Sequence, residues 1–394
     1  MKYIYILLVL VIVPFVSTCH KEADQIKITQ QVLFKELNEK SVEIIDTTVE
    51  DGYPCGVSFE KGEVYVHATL PVDRKYEIKI IDIDSKKTKR SVYLPMGDFQ
   101  APGSFFNPSY IEYLNHRYYI IDQFHKIIAY NENFEYLYTS MFQELRRSMD
   151  FFSQNNQLFF LIGTMMPARK VTLTRVELYR LEDNKRPEHV RRLDESLFYL
   201  STFKDYENRK FRHVGALWAG VRVFAKDGNL FYAKNTEDRI YRQDVLTGKT
   251  DAIGLSFLRP KTFSDKQANT FRYSHSSGWQ EDFFKKDGIR IVYEAYPEPL
   301  FHFGLYDVGV NKIGIIGDLD IVQLTFRLDI IDSGKMEYIE SIRLPFGSGL
   351  MENIASNARG LLQTYIDIDK GVYVWFSEGD EPENRVNITF FRIK

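Results

Sequence analysis

The chain has 394 residues, which is too long for one small barrel or sandwich and suits either two or three average domains or one large domain built from repeats. Hydrophobic residues make up 44% and charged residues 27%, so the composition excludes a wholly disordered chain. The net charge of -3 provides no global positive field, which argues against nucleic acid as a partner. Aromatic residues reach 15%, and they favour β-rich structure because they pack well on a pleated surface.

The first element is an apolar run of 14 residues behind Lys2. It is shorter than the roughly 20 residues of a membrane-spanning helix and is typical of an export signal. The run ends in Val-Ser-Thr-Cys, with the cysteine at position 19, and this ending resembles the bacterial lipobox. The resemblance implies a signal peptide over residues 1–18 and a lipid anchor on Cys19. A plain secretory signal followed by an incidental cysteine is the alternative.

Residues 19–30 are predicted to form a polar tether. A lysine followed by acidic residues directly after Cys19 resembles the surface-export tag of Bacteroidetes lipoproteins. The expected location is therefore the outer membrane, facing either the periplasm or the outside, with the lipid anchor as the membrane contact. Acylation leaves Cys55 as the one remaining thiol, so we expect a buried side chain there and no intrachain disulfide.

A repeat of short strands follows, and it is clearest over residues 221–253. Four strands alternate there with turn residues, including Asp227-Gly228 and Thr247-Gly248, in the pattern of a four-stranded meander. Four-stranded sheets repeated in this way are the blades of a β-propeller. We therefore predict an all-β, six-bladed β-propeller of four-stranded antiparallel blades. The other predicted units cover residues 57–94, 108–142, 149–193, 279–344 and 360–394.

The last unit shows only three strands, so its fourth strand is expected from the other end of the chain. Residues 31–37 are predicted to pair antiparallel with residues 386–393, which closes the ring and removes two exposed edges. The segment 31–394 is then a single domain. Two β-sandwiches or a β-helix are the competing folds, and the sequence leaves open whether there are six blades or seven.

A family resemblance rests on the lipobox-like ending at Cys19, on the count of six units, and on the stretch from Gly97 to Gly103 that is followed by Asn107-Pro108 and by a strand ending in Asp122. A Gly/Pro-rich turn before a strand ending in Asp resembles the six-bladed β-propeller lipoproteins of Bacteroidetes. The resemblance implies the fold and a location in the cell envelope. It implies no particular activity.

Signatures of catalysis and of cofactor binding are absent from the sequence. The Asp-x-Asp pairs at residues 82–84, 318–320 and 367–369 could hold a cation but are better explained as turn residues. No zinc motif, phosphate-binding loop or nucleophile elbow is present, so we expect no cofactor and no metal.

Loop lengths indicate which side of the propeller binds. If the strands of each blade are lettered A to D outward from the axis, the A–B and C–D turns form a short-turn face. The B–C and D–A connections form a long-loop face, which is expected to carry the binding site. The long connections are predicted at residues 95–107, 163–170, 194–220, 259–278, 296–320, 345–359 and 378–385.

Residues just before each strand A are predicted to surround the mouth of the channel on the long-loop face. Tryptophan offers a flat apolar platform and arginine a fork for carboxylates, so an anionic glycan or a peptide carboxylate would suit the site. Packing of the tryptophans between blades is the alternative. The predicted binding residues are Asn107, Arg147, Arg212, His213, Trp218, Arg272, His275, Trp279 and Arg359.

Two functions remain open at this point. The first is a non-enzymatic envelope lipoprotein that binds a glycan, a peptide or another envelope protein. The second is a hydrolase or lyase that acts on polysaccharide or peptide at the same face. Propellers support both functions, so the fold does not decide between them.

Overall fold

The computed structural model of the chain consists of β-strands, and the residues it describes include no helix. Segments rich in Val, Ile, Tyr and Phe alternate with Gly, Asn and Asp turns, and the first group favours pleated backbone while the second favours reversals. The structure describes residues 27–33, 39–97, 103–106, 108–122, 126–141, 148–155, 157–168, 171–183, 185–193, 223–233, 237–259, 301, 304–320, 325–345, 365–378 and 384–394.

Two strands, β1 (Ile28–Val32) and β2 (Lys40–Asp51), precede the predicted repeat. The strands after them form consecutive antiparallel units in which sequence neighbours are also neighbours in space. The first two units have four strands each, named A to D in chain order. Unit 1 consists of β3 (Tyr53–Ser58), β4 (Glu63–Leu70), β5 (Lys75–Asp82) and β6 (Lys87–Pro95), and unit 2 of β7 (Pro108–Leu114), β8 (Arg117–Asp122), β9 (Lys126–Asn131) and β10 (Tyr136–Met141).

The next two units repeat this meander. Turns between strands A and B are tight, and in unit 4 Asp227 and Gly228 both have positive φ, at 49° and 74°, as a two-residue hairpin turn requires. Unit 3 consists of β11 (Ser148–Gln154), β12 (Gln157–Ala168), β13 (Val171–Leu181) and β14 (Glu188–Arg192), and unit 4 of β15 (Val223–Lys226), β16 (Asn229–Tyr232), β17 (Arg239–Asp244) and β18 (Thr250–Leu255).

The last two units are joined into one eight-stranded sheet. The junction is short, because β2 pairs with the outer strand of unit 5 only at Lys40–Ile342 and Ser41–Arg343. Strand β2 is also the fourth strand of unit 6. Unit 5 consists of β19 (Leu305–Gly309), β20 (Lys312–Asp320), β21 (Thr325–Asp332) and β22 (Tyr338–Pro345), and unit 6 of β23 (Tyr365–Asp367), β24 (Val372–Glu378), β25 (Asn384–Ile393) and β2.

An N-terminal strand does pair antiparallel with the last strand, but it is not the predicted one. Strand β2 pairs with β25 from Val42–Ile393 to Asp51–Arg385. The predicted segment 31–37 begins inside β1, which pairs parallel with β18 of unit 4. The prediction selected the more apolar segment, whereas most β2 side chains are exposed. An outermost strand faces solvent and needs little apolar surface.

Strand β1 also lies in the stretch assigned to the tether, since residues 28–30 belong to it. Its backbone continues the sheet beyond β18, and the Thr29 hydroxyl donates to the Ala252 carbonyl at 3.2 Å. The Ser256 hydroxyl donates to the Val32 carbonyl at 2.9 Å. Unit 4 therefore has five strands, and β1 covers its outer edge.

Two further boundaries differ from the predictions. Residues 163–170 were predicted as a long loop, but β12 and β13 continue as one hairpin up to Ala168 and from Val171. The fifth unit was predicted to begin at residue 279 with a loop at 296–320, whereas β19 and β20 lie within residues 305–320. Several short segments between residues 279 and 320 have alternating apolar residues, and the sequence alone does not show which of them form the first two strands of this unit.

Hydrophobic clusters lie between consecutive units. Units 1 to 4 carry buried side chains on both sheet faces, because each of them packs on a neighbour on either side. One cluster joins units 1 and 2 through Tyr65 and Ile120, and others join unit 2 to 3, unit 3 to 4 and unit 4 to 5. A further cluster joins unit 6 to unit 1 through Val374 and Val66. This stacking of four-stranded sheets is propeller-like.

Polar contacts at the A–B and C–D turns connect the same neighbours. Lys61 of unit 1 pairs with Glu132 of unit 2 at 2.7 Å, and that ammonium together with the Tyr113 hydroxyl lowers the pKa of Glu132 to about 2. The remaining contacts link each unit with the next and unit 6 with unit 1. They are Arg117–Asp183 at 2.7 Å, Arg191 to the Leu246 carbonyl at 3.0 Å, Lys226–Asp307 at 2.5 Å, Lys312–Asp369, and Lys370 to the Phe59 carbonyl at 2.5 Å.

His67 gives a pH-dependent prediction for stability. Its side chain is buried, stacks on Tyr53 at 5.3 Å and meets Tyr76 edge-on at 6.0 Å. Burial lowers the pKa of His67 from 6.5 to about 4. The folded protein thus takes up this proton less readily than the unfolded chain. The stability from neutral His67 is present above pH 6.5 and is lost as the pH falls through 4.

We expect this loss to be about 2–3 kcal/mol of unfolding free energy. The variant His67→Phe keeps the ring packing and removes the titration. Urea unfolding at several pH values between 7 and 4 should give a shallower decline for the variant than for the wild type. Parallel declines would contradict the assignment to His67.

Candidate functional site

The A strands of all six units in the described part of the chain line one cavity of about 1200 Å³. Strands β3, β7, β11, β15, β19 and β23 all contribute, so the cavity lies where the innermost strands of the units converge. A space of this size is large enough for a small-molecule or short-chain ligand. The lining side chains used below are Phe59, Glu60, Tyr110, Glu112, Asn115, Arg117, Tyr119, Phe151, Ser153, Asp183, Lys226, Asp227 and Asp307.

The cavity reaches the short-turn face. Three A–B turns contribute lining residues, at 59–60, 115–116 and 227–228. The Asn115 amide donates to the Ser153 hydroxyl at 2.9 Å, which fixes one turn against the neighbouring A strand. These turns are tight, and the Asn115–Ser153 hydrogen bond connects unit 2 to unit 3 at the rim of the cavity.

Stacked aromatic rings form the wall of the cavity on the side of units 2 and 3. Tyr119 stacks on Phe151 at 5.8 Å, and Phe151 stacks on Phe160 at 5.4 Å. These rings are buried, whereas Tyr110 beside them is partly exposed. An ordered ring stack leaves little freedom for the wall to collapse, and Tyr110 presents an aromatic face to a ligand.

Carboxylates exceed cations among the described lining residues. Arg117 is paired with Asp183 at 2.7 Å, and Lys226 is paired with Asp307 at 2.5 Å. Glu60, Glu112 and Asp227 add negative charge. The Tyr110 hydroxyl donates to Glu112, and the Ser333 hydroxyl donates to Asp227 at 3.1 Å. The described wall is therefore acidic and rich in oriented hydrogen-bonding groups.

Asp307 is a lining carboxyl group whose pKa is raised. Burial raises the pKa of Asp307, while the Lys226 ammonium opposes this shift. The side chain keeps about half of its surface accessible, because it faces the cavity while protein surrounds its other sides. The Lys226 ammonium also donates to the Gly309 carbonyl at 2.5 Å, so this group ties the A–B turn of unit 5 to unit 4.

Metal binding has no support among the described residues, where no group of three or more His, Cys, Asp or Glu side chains could hold an ion. Two of the Asp-x-Asp pairs act as turn caps. Asp82 accepts from the Ser85 N–H at 2.6 Å, and Asp367 accepts from the Lys370 N–H at 2.9 Å. Cys55 is buried, and burial raises the pKa of its thiol well above the usual value.

All nine predicted binding residues lie outside the described residues. Their distances in sequence from the A strands are nevertheless fixed by the strand bounds. In sequence, Asn107 directly precedes β7 and Arg147 directly precedes β11. Trp279 was placed before the A strand of unit 5, but that strand is β19, which begins at Leu305. The same holds for Arg272 and His275, whose selection depended on an A strand near residue 280.

Sequence reasoning missed the residues of the described cavity. It concentrated on long loops, whereas Tyr110, Glu112, Lys226 and Asp307 lie on strands and tight turns. One available indication was the Tyr-x-Glu spacing in β7. Residues i and i+2 share a face of a strand, so an inner strand with this pattern directs two polar groups to the same side.

No helix in the described part of the chain is long and apolar enough to cross a membrane. No protein-family model matches the sequence, and no curated protein does. Solved structures do match. A member of the DUF4221 family from Bacteroides vulgatus has a TM-score of 0.50 at 11% identity, over 91% of this chain and 99% of that one.

Two further matches have lower TM-scores. A candidate exported protein from Bacteroides fragilis has a TM-score of 0.42 at 12% identity, over 93% of this chain and 99% of that one. BamB from Moraxella catarrhalis has a TM-score of 0.34 at 11% identity, over 85% of this chain and 84% of that one. The first match shows a shared fold with a Bacteroides protein, in agreement with the resemblance that the sequence motifs indicated.

Proposed function

We propose that this protein is an exported, lipid-anchored β-propeller of six blades that recognises a ligand in its central cavity and performs no catalysis. The observation that carries the proposal is the cavity of about 1200 Å³ to which the A strands of all six units contribute. The six-bladed ring is supported by the cluster between units 6 and 1 and by the contact of Lys370 with the Phe59 carbonyl.

The anchor is Cys19, and the location is the outer membrane. These parts of the proposal rest on the sequence that resembles a lipobox and on the acidic stretch that follows it. A lipid chain on an exported protein holds it at a bilayer surface without a spanning helix. The partners of the protein are therefore the membrane and a ligand of the envelope.

The ligand is a glycan or a peptide segment. Partly exposed aromatic side chains such as Tyr110 and Phe59 offer apolar faces, which bind sugar rings and cationic groups. The carboxylates of Glu60 and Glu112 accept hydrogen bonds from hydroxyl or ammonium groups. The nine residues predicted from the sequence, Asn107, Arg147, Arg212, His213, Trp218, Arg272, His275, Trp279 and Arg359, are proposed as a second contact region on the long-loop face.

A cavity-filling variant tests the proposal. Ser153 lies on an A strand and lines the cavity, so Ser153→Trp should place an indole in the space that a ligand occupies. Protein carrying Cys19→Ala would be screened against glycan and peptide arrays and against envelope extracts. A ligand found with the wild-type cavity should bind at least roughly tenfold more weakly to Ser153→Trp, a loss of about 1.4 kcal/mol or more.

The control is Val72→Trp, which adds the same side chain at a fully exposed turn far from the cavity lining. It should leave the affinity unchanged. Equal affinity for both variants would place the binding site elsewhere. Turnover of a bound glycan or peptide would contradict recognition without catalysis.

A further inference from the structure

Strand β1 fixes the place at which the N-terminal segment leaves the folded domain. It runs parallel to β18, with Ile28 opposite Ala252 and Val32 opposite Leu255. Strand β18 is a D strand, so it begins at the C–D turn of the short-turn face and runs towards the long-loop face. A parallel partner has the same polarity. The chain therefore enters β1 from the short-turn face.

A side-chain contact supports the same position. The Gln30 amide donates to the Lys335 carbonyl at 3.1 Å. Lys335 lies in the C–D turn of unit 5, between β21 and β22, and thus on the short-turn face. Strand β1 is held by unit 4 on one side and touches this turn of unit 5 on the other.

The remaining length to the lipid is short. Cys19 and Ile28 are nine positions apart, and an extended chain covers at most about 3.5 Å per residue, or roughly 30 Å. The six residues of β18 span about 20 Å from one face of the sheet to the other. Turning the long-loop face to the bilayer would require the tether to run back along most of this height. If the short-turn face is turned to the bilayer, the tether does not have to run back along the sheet.

The short-turn face near β1 carries exposed apolar side chains. Leu246, in the C–D turn of unit 4, is 51% exposed, and Val310, in the A–B turn of unit 5, is 75% exposed. Ile28 at the start of β1 is also exposed. Apolar turn tips beside a tethered lipid suit contact with the interfacial region of a bilayer.

We infer that the short-turn face of the domain is its membrane-docking surface, with Leu246 and Val310 in contact with the bilayer and with the end of the cavity that the A–B turns line facing it. The inference rests on the proposed lipid anchor at Cys19. It implies that the cavity receives what is presented at the membrane surface, while the long-loop face lies on the side away from the bilayer. A ligand that binds in the cavity is then a component held at or released from that bilayer.

Energy transfer from single dye positions to the membrane tests the orientation. A donor dye is attached at Val310→Cys or at Val72→Cys, in lipid-modified protein on vesicles of phosphatidylethanolamine and phosphatidylglycerol with acceptor-labelled headgroups. Val72 is the matched control, because it is a valine with 96% exposure in the turn between β4 and β5, on the opposite face. Cys55 is buried and the Cys19 sulfur carries the lipid, so each variant offers one reactive thiol.

Transfer from position 310 should be several-fold stronger than from position 72. Equal transfer, or stronger transfer from position 72, would overturn the orientation while the anchor stands. If the vesicles float and the protein stays behind, the protein has no lipid anchor, and both the anchor and the docking surface are overturned. Leu246→Asp should weaken transfer from position 310 in floating protein without releasing it from the vesicles, since the lipid still holds the chain.

Discussion

A cross-link between the two ends of the chain is expected to form in Thr47→Cys/Thr389→Cys. Thr47 of β2 lies opposite Thr389 of β25, and their hydroxyl oxygens are 3.3 Å apart. Directly paired strand residues have the Cα spacing that a disulfide needs. The bond closes a loop of 342 residues, which restricts the unfolded chain strongly. The oxidised variant should gain about 4 kcal/mol of unfolding free energy over its reduced form.

The measurement is denaturant unfolding with and without reductant, in a Cys19→Ala background. Thr48→Cys/Thr389→Cys is the control, because Thr48 pairs with Ile388 and its side chain points to the other face of the strand. The control should form no intramolecular bond. Cross-linking of the control alone would mean that the register between β2 and β25 is shifted by one residue.

Alternating patterns and turn residues located most of the repeat in advance. The predicted units 57–94, 108–142 and 149–193 correspond to units 1, 2 and 3. The D strands β6 and β22 both end in a Leu-Pro pair, at residues 94–95 and 344–345. This worked because inner strands are buried on both faces and their turns need glycine or asparagine. Both requirements determine which residue types occur at neighbouring positions, so they can be recognised locally in the sequence.

The strand that completes unit 6 shows no such local pattern of residues. Strand β2 is charged and largely exposed, so its sequence resembles a polar linker. Strand β2 is identified only by its pairing with the edge of β25, and this pairing joins residues that lie far apart in the sequence. Within the repeat, the A strand of unit 5 was misplaced for a related reason, since several short alternating segments between residues 279 and 320 competed for one position.

The described cavity was not predictable to the level of its residues. Convergence of the A strands of the described units on one space depends on how these units pack together, whereas loop length can be read along the chain. Tyr110 and Glu112 are separated in sequence from Lys226 and Asp307 by more than a hundred residues. The excess of carboxylates over cations in the cavity could therefore be recognised only after the fold was known. The loop residues that the sequence did indicate remain a proposal.

The Gly/Pro-rich connection between units 1 and 2 is held by a buried ion pair. Lys126 and Asp122 are both fully buried, with the ammonium 3.7 Å from the carboxylate. The Lys126 ammonium donates to the Ser104 carbonyl at 2.5 Å, and the Asp122 carboxylate accepts from the Phe106 N–H at 2.7 Å. The aspartate that ends the predicted motif strand thus has a structural role, because it fixes the turn that leads to Asn107.

Removal of one charge of this pair should be among the most destabilising single substitutions in the chain. Lys126→Met removes the ammonium that lies 3.7 Å from the buried carboxylate of Asp122, and we expect a loss of about 3–5 kcal/mol in unfolding free energy. Adding Asp122→Asn removes the second charge and keeps an acceptor for the Phe106 N–H. The double variant should therefore recover at least half of the loss.

Lys61→Met is the matched control, since it breaks an exposed lysine–carboxylate pair, which joins unit 1 to unit 2. It should cost less than about 1 kcal/mol, because solvent screens exposed ion pairs. Chemical unfolding of the four proteins under one condition provides the comparison. Equal losses for Lys126→Met and Lys61→Met would show that the buried pair does not hold the connection. A double variant less stable than Lys126→Met would show that Asp122 stabilises the turn through its charge and not through its hydrogen bond alone.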